Sequence, residues 1–190
     1  MNPITHLLIG WTLGEEARCE PHDRAIVTWA GVVPDIDGLT MVPDLLNRWL
    51  GRTETDYYFR YHHVLTHGLP AALLTTAVAA ALGGRKVKTA VLAFASFHLH
   101  LLGDLVGSGG PTAGDVWPIG YLEPFSSKLT FEWAGQWPVN DWRNIALTLV
   151  LLALVFIRAI KHGYSPVGLF SRRADSVFVA TLRARFVRPA

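Results

Sequence analysis

The longest apolar stretch of the chain, Val87–Val106, restricts its possible folds more than any other feature. The stretch is 20 residues long, and a helix of about 20 apolar residues spans the hydrocarbon core of a bilayer. It also contains Asp104, and an ionisable side chain within such a segment is costly and marks a functional site by default. The stretch therefore predicts a membrane helix that carries part of a functional site.

The composition of the whole chain also favours a membrane protein. Hydrophobic residues make up 51% of it and charged residues 17%, whereas an ordinary soluble domain has about 25% charged residues. The net charge of +2 is too small to indicate nucleic-acid binding, so no nucleic acid is expected as a partner. Because Cys19 is the single cysteine, an intrachain disulfide and a cysteine-based zinc site are excluded.

Further apolar segments predict the rest of the fold. Gly83–Lys86 is a helix stop followed by a turn, which predicts that the segments on either side form an antiparallel hairpin. We expect an all-α, membrane-embedded helical bundle with this hairpin at its centre, spanning residues 1–164, and a basic amphipathic tail over 165–190. The other apolar segments are Ile4–Leu13, Ala25–Val33, Leu69–Leu82 and Ile145–Ile160, of which the first two are too short to cross a bilayer alone.

The positions of the basic residues predict how the chain is oriented. The hairpin turn and the C-terminal tail are both rich in Lys and Arg, whereas Gly107–Asn144 contains only Lys128 and Arg143. Cytoplasmic segments of membrane proteins carry the excess of Lys and Arg. We therefore expect a multi-pass protein whose basic tail is cytoplasmic, with Gly107–Asn144 on the other side of the membrane.

Seven His and Asp side chains in four short motifs are candidate metal ligands. Neutral imidazole is the commonest metal ligand in proteins, and residues four apart share one face of a helix. If both hairpin arms are helical, His63 and His67 share one face of the first arm, and His100 and Asp104 share one face of the second. The seven residues are His6, Asp35, Asp37, His63, His67, His100 and Asp104.

The hairpin geometry predicts that the two pairs meet. At a rise of about 1.5 Å per residue, His67 lies about 24 Å from Gly83 and His100 about 21 Å from Lys86. This estimate requires the first arm to stay helical past Pro70. The pairs would then form a metal site at the non-cytoplasmic end of the hairpin, near the lipid headgroups.

Imidazole and carboxylate ligands together match zinc best, with manganese or iron as alternatives. Seven side chains exceed the four ligands of one structural zinc, which indicates one or two divalent ions with Asp35 or Asp37 as a bridging ligand or general base. The motif containing these two aspartates is also typical of a turn with a helix cap. A buried polar network without metal, or a structural metal, therefore remains open.

The order of the motifs resembles a family of bacterial inner-membrane proteins, the YdjM-like predicted metal-dependent hydrolases, some of which are under LexA control. The chain departs from the family pattern at Val64, where Arg is usual, and at Gly68, where Ser is usual. Without that Arg, specificity for phosphate is left open. The matching motifs are His6-Leu7-Leu8, Val33-Pro34-Asp35-Ile36-Asp37, His63-Val64-Leu65-Thr66-His67-Gly68, His100-Leu101-Leu102-Gly103-Asp104 and Trp117-Pro118.

The resemblance implies a metal-dependent hydrolase of the bacterial inner membrane. The order of the ligands is also loosely similar to that of zinc-dependent phospholipase C and single-strand nucleases. The expected substrates are therefore phosphodiesters, lipid headgroups or other esters near the membrane surface. Membrane lipid and a small or lipid-like substrate are the expected partners. Two other interpretations remain open: a non-catalytic, metal-binding scaffold or transporter-like protein, and a protein that binds partners through its Arg-rich tail.

Overall fold

The computed structural model describes residues 1–110, 112 and 114–187, which fold mainly into helices. The described residues contain eight α-helices, two 3-10 segments and one short antiparallel sheet. The helices are α1 (Pro3–Glu16), α2 (Pro21–Ala30), α3 (Met41–Trp49), α4 (Tyr57–Tyr61), α5 (Leu69–Leu82), α6 (Lys86–Gly107), α7 (Trp142–His162) and α8 (Arg172–Phe186). The 3-10 segments are Val33–Thr40 and Pro166–Leu169, and the strands are β1 (Ile119–Gly120) and β2 (Thr130–Phe131).

The predicted helical hairpin is confirmed, and it consists of α5 and α6 packed along each other. The turn between them is held by Asp23 of α2. Its carboxylate oxygens accept hydrogen bonds from the backbone N–H groups of Gly84 and Arg85 at 2.7 and 3.0 Å. The all-α class and the central hairpin therefore agree with the sequence.

The first arm of the hairpin is shorter than the sequence predicts. Helix α5 begins at Leu69, and His62–Gly68 is a stretch of turns and bends. Pro70 occupies the first turn of α5, a position that proline tolerates, while proline disfavours helical backbone in the residue before it. Gly68 is extended, with φ −126° and ψ 175°. The expectation that His63 and His67 share a helix face is therefore wrong.

The two short N-terminal helices pack inside the bundle. Helices α1 and α2 contact each other and both contact α6. Ala30, Ala79 and Ala93 form the contact between α2, α5 and α6, and such small residues let helices in membranes approach closely. On its other side α1 packs against α7 through Leu8, Trp11, Leu151 and Val155.

Two of the described helices, α6 and α7, are long and apolar enough to cross a membrane. A third span results if α2 and the segment Val33–Trp49, which meet at a bend of 46°, are taken together. Helix α3 has no buried residue, and its Leu45, Leu46 and Trp49 are exposed. The surface is therefore apolar on α3 as well as on α7.

The two ends of the bundle differ in charge. One end, which we call the acidic end, comprises residues 31–68 and 104–144 and carries ten Asp or Glu against five Lys or Arg, a net charge of −5. The other, the basic end, comprises residues 15–24, 82–88 and 158–187. It carries eleven Lys or Arg against five Asp or Glu, a net charge of +6. Helix α8 packs back onto α7 at the basic end through Ala159, Val179 and Leu182.

Candidate metal centre

Four predicted ligands converge at the acidic end of the hairpin. Asp35 comes from the 3-10 segment after α2, His67 from the loop before α5, and His100 and Asp104 from consecutive turns of α6. One ligand atom from each of the four lies within 4.8 Å of those of the other three. The His67 and His100 side chains are fully buried, and those of Asp104 and Asp35 are 2% and 16% exposed. The cluster is therefore almost sealed, with Asp35 as its most accessible member.

The distances among these atoms suit a shared cation. His100 Nε2 is 2.8 Å from Asp104 Oδ2, 3.3 Å from His67 Nε2 and 3.8 Å from Asp35 Oδ1. His67 Nε2 is 3.4 Å from Asp104 Oδ2. Ligand atoms about 2.0–2.1 Å from one tetrahedral zinc ion lie roughly 3.3–3.4 Å from each other. The four residues thus fit a single ion in number, chemistry and spacing.

The hydrogen bonds on the far sides of the two rings determine which nitrogens face the cluster. His100 Nδ1 donates to the carbonyl oxygen of Gly31 at 2.8 Å, because a carbonyl oxygen can only accept. His67 Nδ1 donates to Asp37 Oδ2 at 3.0 Å. In its neutral form, each ring therefore turns an unprotonated Nε2 toward the two carboxylates. Acceptors that converge in this way repel one another unless a proton or a metal ion lies between them.

Asp37 lies beside the four converging ligand atoms. Its Oδ1 accepts from His62 Nδ1 at 2.7 Å, and its Oδ2 accepts from His67 Nδ1 and from the backbone N–H of Thr66 at 3.0 and 3.2 Å. A carboxylate that holds the outer nitrogen of a ligating histidine fixes its tautomer and orientation. The structure gives Asp37 this position, with both of its oxygens already engaged.

His6 and His63 flank the cluster on opposite sides. The His6 ring stacks on His100 with ring centroids 3.6 Å apart, and its Nε2 is 3.1 Å from Asp104 Oδ1. A Cβ at position 103 would lie 3.1 Å from His6 Cε1, so Gly103 lets α1 come this close to α6. The His63 ring is 4.5 Å from that of His67. All seven predicted residues are thus at or next to the cluster.

The loop histidines have shifted pKa values. Burial by itself lowers the pKa of His67, but the hydrogen bonds that its ring donates to Asp104 and Asp37 outweigh burial and raise the pKa to about 9. Burial, together with the neighbouring charge of His67, holds the pKa of His63 well below its usual value. The surroundings of His67 therefore favour a positive charge on its ring.

Some buried polar atoms around the cluster have no hydrogen-bond partner among the described residues. They are Asp35 Oδ2, His6 Nδ1 and His63 Nδ1. Buried polar groups in folded proteins are nearly always paired, and the exceptions call for an explanation such as an ion or water. These unpaired atoms lie at or next to the four converging ligand atoms. A cation at this position would be consistent with them.

Four polar neighbours of the centre are not among the seven residues predicted from the sequence. His62 bonds Asp37 and forms a second close group with His63 and His67. Ser108 Oγ donates to Asp104 Oδ1 at 2.6 Å, and its position one turn after Asp104 was a usable signal. Gln136 Nε2 donates to the Asp104 carbonyl oxygen at 2.8 Å, which no local pattern could reveal. The amino group of Met1 also donates to Asp104 Oδ1.

The remaining histidines lie away from the centre. His98 bonds the Phe94 carbonyl oxygen through Nδ1 at 2.9 Å, and its Nε2 is 2.9 Å from the Tyr121 hydroxyl. His22 and His162, at the basic end, have side chains that are 69% and 48% exposed. His98 therefore offers a matched control residue for experiments on His100.

Residues 62–68, which we call the histidine loop, lie beside a pocket of about 350 Å³. His62, His63 and Trp117 line it, and the Trp117 ring lies 5.8 Å from that of His63. The turn after β1 lines the pocket through Glu123 and also packs on Gly68. A Cβ on Gly68 would lie 2.9 Å from the carbonyl oxygens of Tyr121 and Glu123, which explains glycine at this position.

Comparison with known proteins identifies the family. The chain matches the family described as YdjM inner membrane protein over residues 1–180. It therefore belongs to this family, as the order of its motifs indicated, and it is a membrane protein. No curated protein and no solved structure matches it.

Proposed function

We propose that this member of the YdjM family is a membrane-bound, metal-dependent hydrolase. The observation that carries the proposal is the convergence of two imidazole Nε2 atoms and two carboxylates at His67, His100, Asp35 and Asp104. Two histidines and two carboxylates form a borderline ligand set that suits zinc, with manganese or iron as alternatives. A divalent ion held there would lower the pKa of a bound water and polarise the bond to be hydrolysed.

One ion accounts for the geometry better than two. A second ion in the group formed by His62, His63 and His67 would have to share His67 with the first. The Nδ1 of His67 already donates to Asp37, so this ring has a single nitrogen to offer. We therefore assign the four converging ligand atoms to one ion. His62 and His63 line the pocket instead.

The two aspartates of the Asp35-Ile36-Asp37 motif have different roles in this proposal. Asp35 is the more accessible, and its Oδ2 has no hydrogen-bond partner among the described residues. It can bind the ion through Oδ1 and accept a proton from water at Oδ2. Asp37 holds His67 and His62 in place, and its contribution is to orient the ligands.

The charge difference between the two ends supports an orientation in the membrane. Segments with an excess of Lys and Arg stay in the cytoplasm, and this excess is confined to the basic end. We propose that α6 and α7 both cross the bilayer with the basic end, including the C-terminal tail, in the cytoplasm. The metal centre would then lie at the opposite membrane surface.

The apolar surface next to the centre supports a substrate that comes from the membrane. Trp49 of α3 is 81% exposed, and Phe59, which lines the pocket, is 69% exposed. Exposed aromatic and aliphatic side chains of this kind suit the bilayer interface. An ester or lipid-headgroup substrate could therefore reach the pocket from the lipid, with membrane lipid as the surrounding partner.

The proposal is tested with purified protein in lipid nanodiscs loaded with Zn²⁺ or Mn²⁺. We expect metal-dependent hydrolysis of chromogenic carboxylic or phosphoric esters, and we expect it to be lost in Asp104→Asn and His67→Ala. His98→Ala, on the same helix as Asp104 but outside the centre, should keep full activity. Stoichiometric metal without turnover on any ester would contradict the enzyme and favour a metal-binding scaffold.

A further inference from the structure

The pocket beside the metal centre has an unusual lining for a site that hydrolyses phosphate esters. One wall is aromatic, since the Phe59 and Trp117 rings meet edge to face with centroids 5.8 Å apart. Val64 and the rings of His62 and His63 continue this wall toward His67. Such a surface gains free energy by burying an apolar group, and its indole and phenyl faces attract cations.

Glu123 is the only formally charged side chain that lines the pocket, and no described Lys or Arg does so. The nearest basic residue in the sequence, Arg60, follows Phe59, but its guanidinium lies over the Tyr61 ring, 5.7 Å from the centroid. Recognition of phosphate or carboxylate usually relies on Arg or Lys placed for paired hydrogen bonds. The pocket lacks that chemistry.

The surroundings of the pocket increase its negative character. It lies within the acidic end of the bundle, whose net charge is −5. A divalent ion in the centre would be balanced by the charges of Asp35 and Asp104, two of its proposed ligands. The acidic end, Glu123 included, would then keep a net charge of −3, and this charge would still act on a molecule in the pocket.

We propose that this pocket admits molecules with an apolar portion that are uncharged or cationic, and that it excludes anions. The selectivity follows from the aromatic wall, the single Glu123 and the acidic end. That the selected molecule is the substrate rests on the proposed function, which this inference narrows to neutral or cationic ester-type lipids rather than phosphodiesters.

Charge selectivity can be measured without any enzymatic activity. In a Cys19→Ser background, a cysteine replacing Val64 reports on the pocket. Its labelling rates with a cationic and an anionic reagent, trimethylammonium-ethyl and sulfonatoethyl methanethiosulfonate, are compared at pH 8 and divided by the rates of the same reagents with a small free thiol. We expect the cationic reagent to be at least about tenfold faster, since opposite charges attract strongly near a protein surface.

Matched variants locate the source of the selectivity. Glu123→Gln should reduce the preference, and Glu123→Lys should abolish or reverse it. A cysteine replacing Ser176, exposed on α8 at the basic end, should show the opposite preference. Thr130→Cys, also in the pocket, serves as a second reporter if Val64→Cys does not fold. Equal normalised rates in the pocket, or faster labelling by the anion, would overturn the proposal.

A second pair of probes links the pocket to the reaction. 4-Nitrophenyl octanoate and the 4-nitrophenyl monoester of octanedioic acid share one ester bond and one chain length and differ by a terminal carboxylate. We expect the neutral ester to have the higher kcat/KM by about tenfold or more, and Glu123→Lys to narrow the ratio. If the wild-type protein hydrolyses neither ester faster than the Asp104→Asn variant does, the proposed function fails. The labelling result still decides the charge selectivity.

Discussion

The acidic and basic ends of the bundle both bury carboxylates, but they satisfy them differently. At the basic end Glu15 accepts from Arg24 and from the Tyr164 hydroxyl, each at 2.8 Å. Asp175 accepts from the backbone N–H of Ser165 at 3.0 Å and from its hydroxyl. Each of these carboxylates has a donor within the protein. They are therefore complete without a ligand.

At the acidic end the acceptors outnumber the donors. The Nε2 atoms of His67 and His100 face Asp104 Oδ2, and Asp35 Oδ2 has no hydrogen-bond partner among the described residues. Without an ion, Asp104 depends on the Met1 amino group and on a protonated His67 for its counter-charge. The carboxylates of the basic end are thus satisfied within the protein, whereas the cluster at the acidic end could hold a cation.

Removing one carboxylate from each end should show the difference between the two ends most strongly. Asp104→Ala should abolish stoichiometric binding of zinc, because it removes the carboxylate oxygen that lies 2.8 Å from His100 Nε2 and 3.4 Å from His67 Nε2. Asp175→Ala should leave zinc binding unchanged and only loosen the contact between α8 and the end of α7. Elemental analysis of both purified variants checks this. Retention of full metal content in Asp104→Ala would remove the centre as described.

Breaking the buried ion pair at the basic end should change stability alone. The Arg24 side chain is 10% exposed and that of Glu15 4%, so Arg24→Ala leaves a buried charge without its partner and should cost about 3–5 kcal/mol of unfolding free energy. Chemical unfolding in detergent micelles measures this. Arg48→Gln, which breaks an exposed pair with Glu54, should give no measurable change. A loss of zinc affinity in Arg24→Ala would show that the two ends are coupled.

Replacing the carboxylate that orients His67 should weaken the centre without destroying it. Asp37→Asn retains the size of the side chain but loses the charge that faces His67 and His62. Loss of such an outer partner typically lowers metal affinity by about 10–100-fold, measured here by competition with a chromophoric chelator. An effect as large as that of Asp104→Ala would indicate that Asp37 is itself a ligand.

Metal affinity should rise with pH through the titration of His67. Its pKa of about 9 means that below pH 9 the metal must displace a proton from this ring. Each unit of pH between 7 and 9 should therefore increase the affinity by about tenfold, and the slope should flatten above 9. Affinity measured at three pH values checks this. A flat profile over that range would show that metal binding does not displace a proton from His67.

The fold could be predicted where the sequence pattern is local. The apolar length of α6, the Gly83–Gly84 turn and the one-turn spacing of His100 and Asp104 together gave the hairpin and half of the centre. A helical period places two side chains on one face whatever the rest of the chain does. Ser108, one turn further on, follows the same rule and could have been included.

The histidine loop could not be predicted, because its conformation depends on contacts distant in sequence. His63 has φ +67°, a left-handed conformation that no helical pattern anticipates. Thr66 Oγ1 donates to the Pro34 carbonyl oxygen at 2.6 Å, and Leu69 N donates to that of Tyr121 at 2.7 Å. These long-range hydrogen bonds hold the loop over the end of α6. His67 thus reaches His100 by a route different from the predicted continuous helix.

The central claim is that His67, His100, Asp35 and Asp104 share one divalent ion. X-ray absorption at the zinc edge of the zinc-loaded protein tests it most directly. We predict a mixed nitrogen and oxygen shell at about 2.0–2.1 Å, with the outer-shell signal of two imidazoles, one of which is lost in His100→Ala and none in His98→Ala. A spectrum without imidazole scattering, or one that His100→Ala leaves unchanged, would contradict the account.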